Sequence, residues 1–236
     1  MSLRLLTVGI VALFIATVAA AQSPRIEMQV FPPQTGKGAV VIVVSGASGT
    51  SFYKGTASTL AAMGYYTVLV DGTNIYKRYA PANFDGVALL KSVIAESTAS
   101  PQALQGKVAL LGFSIGGAGV LVHGAQMKDE VSAAVAYYPA ITSLGPNMDA
   151  LASNIKVPVL LVVGVQDRYM ECCLIETMRA LAAAPKAAPF ELVVYPAAEH
   201  GFNLEDTQFT YNEKDAQDAW AKTAEYLKRL HPPSRN

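Results

Sequence analysis

The stretch GAVVIVVS, Gly38 to Ser45, is apolar along nearly its whole length and rich in β-branched residues. An alternating strand leaves one face to water, whereas a continuous apolar one has to be covered on both faces, as in a parallel sheet between helices. The rest of the chain fits that frame. RIEMQVF reads as an edge strand stopped by Pro32-Pro33, and YYTVLV, KVALLG, VSAAVAYY, VPVLLVVG and FELVVYP read as further strands. Helical patterns lie between them: YKGTASTLAAMG ending at Gly64, Phe84 to Glu96, Ile115 to about Met127, Met170 to Ala184, and Glu213 to about Leu230. Strands alternating with helices predict an α/β fold with a doubly wound, mainly parallel sheet. With 236 residues, 52% of them hydrophobic, the chain is long enough to bury one large core of that kind. No repeat or linker divides it, and only the loops around Gly72 to Asn83 and Tyr138 to Asp149 are long, so residues 22–236 are expected to form a single domain without a large cap.

The first 21 residues stand apart from the fold. MSLRLLTVGIVALFIATVAAAQ has a basic start at Arg4, an apolar run from Leu5 to about Ala20 and small residues at Ala19-Ala20-Ala21. That pattern predicts a signal peptide over residues 1–21, cleaved before Gln22, and a periplasmic or secreted product. The run is shorter than the ~20 residues a spanning helix needs, so no stable membrane insertion is expected after cleavage. Eighteen basic residues balance eighteen acidic ones, which leaves no electrostatic footprint for nucleic acid. The only cysteines, Cys172 and Cys173, are adjacent; a bridge between neighbours departs from ordinary disulfide geometry, so they are expected as small buried hydrophobes on a helix, with a redox or pocket role left open by their closeness to Asp167.

Candidate chemistry centres on VALLGFSIGGAG, in which Ser114 sits between Gly112 and Gly116. A G-x-S-x-G sequence between a strand and a helix suits a sharp elbow that exposes the serine, with the helix dipole aimed at its oxygen. The alternative is a structural turn with an incidental serine. A serine needs a base. His123 lies along the same helix, beyond reach of Ser114, and His231 sits in the polar tail RLHPPSRN, where it is expected to be solvated. His200, in YPAAEHGFN just after the last strand, is the favoured base, because open α/β sheets place functional groups at strand carboxyl ends. Asp167 ends VPVLLVVGVQD at another such position and is the favoured partner for the imidazole; read alone, it is a helix N-cap. Asp71 precedes the serine, and Glu199 is expected to point away from its neighbour His200. The order Ser114, Asp167, His200 is that of the α/β-hydrolase arrangement.

An oxyanion needs two preorganised donors. The N–H of Ile115 is the first candidate, and the N–H of Ala47, in the turn SGASGTS after an early strand, is the second, with Ser48 close behind. The same turn lacks the further glycines of a dinucleotide loop and the Gly-Lys-Ser/Thr end of a P-loop, which disfavours a nucleotide site.

From GAVVIVVSGASG through AAMGYYTVLVD, KVALLGFSIGG and VPVLLVVGVQD to VVYPAAEHGFN, nearly all of the mature chain resembles the dienelactone hydrolase family of α/β hydrolases. The resemblance implies a nucleophile–His–Asp triad at Ser114, His200 and Asp167, oxyanion amides at Ile115 and Ala47, and no metal or cofactor. Two departures matter: the family's elbow cysteine is a serine here, and its glutamate after the early strand is Gly46. Basic residues for a carboxylated lactone are not evident beside His200; Lys77 and Arg78 are the nearest candidates in sequence. The expected function is therefore a serine carboxylesterase acting on small or medium acyl esters. A peptidase or thioesterase on the same triad, a lactonase, and a noncatalytic binding protein are the alternatives. Tyr76, Tyr79, Tyr169 and Phe202 are candidates for the pocket wall, and the oligomeric state is left open.

Overall fold

The computed structural model describes residues 26–205 and 207–234; the expected signal peptide lies outside them. Seven strands form one sheet: β1 (Met28–Phe31), β2 (Val40–Val44), β3 (Tyr66–Val70), β4 (Val108–Phe113), β5 (Val131–Tyr137), β6 (Val159–Gly164) and β7 (Phe190–Tyr195). Their order is β1-β3-β2-β4-β5-β6-β7. Only β1, at the edge, runs antiparallel; it pairs with β3. Every residue of β2, β3, β4 and β6 is buried, which is why these runs carry no polar alternation.

The helices are α1 (Lys54–Ala62), α2 (Gly72–Ile75), α3 (Gly86–Thr98), α4 (Ile115–Val122), α5 (Asp149–Ser153), α6 (Ile175–Ala183) and α7 (Glu213–Leu230). They cover the sheet: α1 packs on β3, α3 on β2, α4 on β4 and β5, α6 on β6 and β7, and α7 on β5 and β6. In α7 the buried Ala216, Ala219, Thr223, Tyr226 and Leu227 recur three or four residues apart, as an amphipathic helix requires. Asn212 caps it by accepting the Asp215 N–H at 3.1 Å, and Lys228 and Arg229 lie in its last turn, where the helix dipole favours cations. Among the described residues no helix is long and apolar enough to cross a membrane.

The chain passes from β2 to β3 on one side, then returns to β4 on the other side of β2. This reversal brings the loops after β2 and β4 together at the carboxyl edge, where open α/β sheets leave a crevice.

Several sequence expectations change. The first long loop contains α2, capped by the Asp71 carboxylate, and the second contains a 3-10 turn, Thr142–Leu144, before α5 begins at Asp149. The helix expected from Ile115 to Met127 ends at Val122 and continues only as a 3-10 turn, Gly124–Gln126. The helix expected from Met170 begins only at Ile175. Before it lies a 3-10 turn, Tyr169–Glu171, with Met170 and Glu171 at φ 49° and 50°. Thr142 pins this segment: its N–H donates to the Cys172 carbonyl, and its hydroxyl accepts the Leu174 N–H. Cys172 and Cys173 are consequently on a bend, and they are joined as a disulfide rather than standing as separate thiols. On a helix successive side chains diverge by about 100°, a separation this bend does not impose. His231 is not solvated but buried under the sheet's amino edge, with Ser132 Oγ 2.8 Å from Nδ1 and the Val40 carbonyl 2.9 Å from Nε2.

Candidate active site

Ser114 follows β4 directly and precedes α4, with φ 52° and ψ −115°. A non-glycine residue in such a conformation costs of order 1–3 kcal/mol and persists only when its surroundings impose it. Here the Ser114 N–H donates to the Tyr137 carbonyl, and the Ser114 carbonyl accepts the N–H groups of Ala118 and Ala140, each at 3.0 Å. The flanking glycines make the tight approach possible. A Cβ on Gly116 would lie 2.3 Å from the Val44 carbonyl oxygen, and one on Gly112 would lie 2.5 Å from that of Gly116.

Asp167 leaves the carboxyl end of β6 and His200 that of β7, and both meet Ser114 at the reversal point. Asp167 Oδ2 lies 2.7 Å from His200 Nδ1, and His200 Nε2 lies 3.1 Å from Ser114 Oγ. All three residues are buried, Asp167 and His200 almost completely. The second Asp167 oxygen accepts the Tyr169 N–H at 3.1 Å, so the N-cap-like contact and the imidazole contact coexist on one carboxylate. A carboxylate can only accept from Nδ1; the ring proton is thereby held there, and the Nε2 lone pair faces the serine. The rival carboxylates are engaged elsewhere: Asp71 with Thr73, and Glu199 with Thr210. His123 packs between Tyr76 and Phe84, ring centroids 6.0 and 6.2 Å away, and burial lowers its pKa.

Ile115 is the first residue of α4, so its N–H has no intrahelical partner and lies at the positive end of the helix dipole. The Ala47 N–H has no protein acceptor among the described residues. Gly46, Ala47 and Ser48 line the same narrow cleft as Ser114 and His200. The arrangement brings a serine hydroxyl, an imidazole held by a carboxylate, and the Ala47 backbone to one cleft.

The sequence matches the model of the dienelactone hydrolase family over residues 26–231. The chain belongs to the dienelactone hydrolase family. No curated protein matches it by sequence alone. Among solved structures, it is similar to a putative dienelactone hydrolase from Klebsiella pneumoniae subsp. pneumoniae MGH 78578, with a TM-score of 0.72, 23% identity, and 89% of this chain and 95% of that one covered. It is also similar to Est1E from Butyrivibrio proteoclasticus, with a TM-score of 0.64, 16% identity, and 86% and 93% covered. A third is the carboxylesterase Cest-2923 from Lactobacillus plantarum WCFS1, with a TM-score of 0.65, 14% identity, and 89% and 95% covered. These likenesses share the α/β-hydrolase fold.

In this dienelactone hydrolase family member, the position of the missing glutamate is filled from elsewhere. A Cβ on Gly46 would lie 2.4 Å from the Tyr53 hydroxyl oxygen and 3.5 Å from Ser114 Cβ, so a tyrosine hydroxyl stands beside the serine where the larger residue would project. Burial pushes the Tyr53 pKa up to about 12, opposed by the Gly46 backbone and the neighbouring Tyr138 side chain, so the hydroxyl keeps its proton at neutral pH. The Tyr138 hydroxyl donates to Asn203 Oδ1 at 2.7 Å, and burial raises its pKa well above the usual value. His200 is enclosed by three rings: Tyr138 with centroids 4.7 Å apart, Tyr169 stacked at 4.8 Å, and Phe209 edge-on at 5.1 Å.

Of the four aromatics expected on the pocket wall, Tyr169 is there. Phe202 lies fully buried behind Tyr138, Tyr76 packs on His123, and Tyr79 is 85% exposed. Tyr53, Tyr138 and Phe209 were missed, because each sits in an ordinary strand, turn or loop and meets the site only through tertiary packing. Lys77 and Arg78 are exposed over Phe84 and Tyr79 and do not line the cleft.

Proposed function

We propose that this protein is an exported serine carboxylesterase acting on small or medium acyl esters. The observation that carries the reading is the chain Asp167–His200–Ser114, with separations of 2.7 and 3.1 Å, ending on a serine in an imposed left-handed elbow. In this reading His200 Nε2 takes the Ser114 proton as Oγ attacks the ester carbonyl, and Asp167 stabilises the imidazolium. The Ile115 and Ala47 amides receive the oxyanion, each contributing about 2.7–4 kcal/mol by the usual worth of such donors. His200 then protonates the leaving alkoxide and activates water to hydrolyse the acyl-enzyme.

Among the described residues, the cleft that holds Ser114 is lined by His200 and by aromatic and small residues, with no Lys or Arg, which favours neutral esters over carboxylated lactones; Arg168 lines only the adjoining pocket that shares Tyr169, His200 and Phe209. The Cys172–Cys173 disulfide supports export, since disulfides persist mainly in oxidising compartments.

The test is a panel of p-nitrophenyl esters of increasing acyl length, combined with a fluorophosphonate probe and mass mapping of the adduct. Hydrolysis of short and medium esters with the adduct on Ser114 is expected. No turnover and no adduct would sink the serine-hydrolase reading. Export is tested separately: the mature protein recovered outside the cytoplasm should begin at Gln22.

A further inference from the structure

The Cys172–Cys173 disulfide does not take part in the proposed reaction, yet it lies against its base and acid. One ligand atom from each of Asp167, Cys172, Cys173 and His200 falls within 4.8 Å of all the others. Asp167, Cys173 and His200 are buried, and Cys172 is half-buried. Two sulfurs, a carboxylate oxygen and an imidazole nitrogen form a ligand set suited to zinc. Zn–S bonds of about 2.3 Å and Zn–N or Zn–O bonds of about 2.0–2.2 Å place tetrahedral ligands roughly 3.3–3.8 Å apart. For a metal to fit, the widest of these separations has to close by roughly 1–1.5 Å, while the two bonded sulfurs and the Asp167–His200 pair, 2.7 Å apart, have to part. In the oxidised protein the sulfurs are bonded to each other and present no thiolate.

We propose that reduction of this disulfide opens a soft-metal site, formed by both thiolates, the Asp167 carboxylate and His200 Nδ1, that takes zinc(II) or cadmium(II). Reduction breaks the S–S bond to give two thiols: a dithiol supplies two electrons and two protons and becomes a disulfide, whereas a phosphine supplies the two electrons and becomes a phosphine oxide, with water giving the oxygen and the two protons. Metal binding releases the two thiol protons to solvent. The metal takes the Nδ1 lone pair, and the ring proton moves to Nε2.

The imidazole then donates toward Ser114 instead of accepting from it, and the carboxylate that oriented it is engaged by the metal. Metal capture thus switches off the base. This inhibitory step rests on the proposed triad, whereas the metal site does not. Thr142 holds the segment from both sides, through the Cys172 carbonyl and the Leu174 N–H, so the two thiols stay near Asp167 after the disulfide opens.

The test titrates the full mature chain with cadmium before and after phosphine reduction. Binding is followed by thiolate-to-cadmium charge-transfer absorption and by metal analysis after gel filtration. The reduced protein should take one equivalent and the oxidised protein none. Ester hydrolysis by the reduced form should fall at least tenfold on saturation and return on chelation. The Cys172→Ser/Cys173→Ser double variant should bind no cadmium and show no reductant-dependent inhibition. Ser114→Ala, inactive under the proposed reading, should still bind one equivalent when reduced.

No binding to the reduced protein, or equal binding to the oxidised one, overturns the site. Binding without loss of activity overturns Nδ1 as a ligand. An untreated protein with no esterase activity counts against the proposed function alone, because the cadmium titration still decides the site.

Discussion

Two buried histidines stand beside a serine hydroxyl at opposite edges of the same sheet. His200 lies at the carboxyl edge, 3.1 Å from Ser114, and His231 at the amino edge, 2.8 Å from Ser132. Both stack on a tyrosine: Tyr169 at 4.8 Å and Tyr65 at 6.0 Å. The difference lies in the other ring nitrogen. At His200 it meets a carboxylate, which can stabilise a positive ring as the serine proton arrives. At His231 it meets the Val40 carbonyl, which fixes the ring without supplying a negative charge. The serines differ as well. Ser132 lies in β5 at the register shift opposite Val108 and Ala109 and also reaches the Val108 carbonyl at 3.1 Å, while Ser114 sits on an imposed elbow at a helix N-terminus. An imidazole next to a hydroxyl is thus a structural tie in one place and a candidate proton-transfer pair in the other.

The largest effect tests that contrast directly. Ser114→Ala should lower ester turnover at least about 10⁴-fold, the scale seen when a triad nucleophile is removed. Ser132→Ala should leave kcat/KM within about twofold but lower stability by about 1 kcal/mol, the usual worth of a hydrogen bond, read as a shift in the denaturant midpoint. Comparable activity losses in both variants would erase the distinction. Asp167→Asn comes next: it keeps the shape but removes the charge, and a fall of about 10⁴-fold in kcat is expected from the wrong tautomer. The corresponding change at the amino edge has no counterpart, because His231 has a carbonyl at that point.

The contrast also marks what could be read in the sequence. Ser114, Asp167 and His200 were legible because each follows the end of an apolar run within five residues, and a parallel sheet gathers such strand ends at one edge. His231 was misread because RLHPPSRN is polar in composition. The chain after α7 nevertheless packs back under the sheet, and the Pro233 carbonyl accepts the Ala39 N–H at 2.9 Å. Cys172 and Cys173 were misplaced for a similar reason. A helix pattern running back to Met170 hides the Thr142 contacts that delay the helix start to Ile175. Tyr53 carried no readable signal, since its hydroxyl enters the cleft it shares with Ser114 only through the space left open by Gly46.

Tyr53 supplies the next sharpening of the comparison, because its hydroxyl-bearing ring lines the cleft with Ser114. With its pKa near 12, Tyr53 keeps its proton throughout the pH range of esterase assays. Tyr53→Phe removes the hydroxyl oxygen alone. A fall of about tenfold in kcat with little change in KM is expected, less than the 10²–10³ lost with a dedicated oxyanion donor. An unchanged kcat would reduce Tyr53 to a packing residue. A rise in KM alone would make it a contact to the ground state.

The smallest effect concerns the third histidine, which has neither arrangement. Among the described residues His123 Nε2 is buried without a hydrogen-bond partner, and the ring lies against Gly86. Burial lowers its pKa below the ordinary 6.5, with Asp85 opposing the shift. The folded state therefore favours the neutral ring, and the unfolded chain binds more protons between the two pKa values. Its contribution to stability is present above pH 6.5 and is lost as pH falls through the lowered folded-state value. His123→Phe should retain esterase activity, because the ring packs on Tyr76 and Phe84 rather than on Ser114. Its Tm should fall less steeply than that of the wild type as pH is lowered from 7 to about 5. Parallel Tm–pH curves for the two proteins would show that the acid sensitivity comes from another group, and a large activity loss would bring His123 into the site from which its packing separates it.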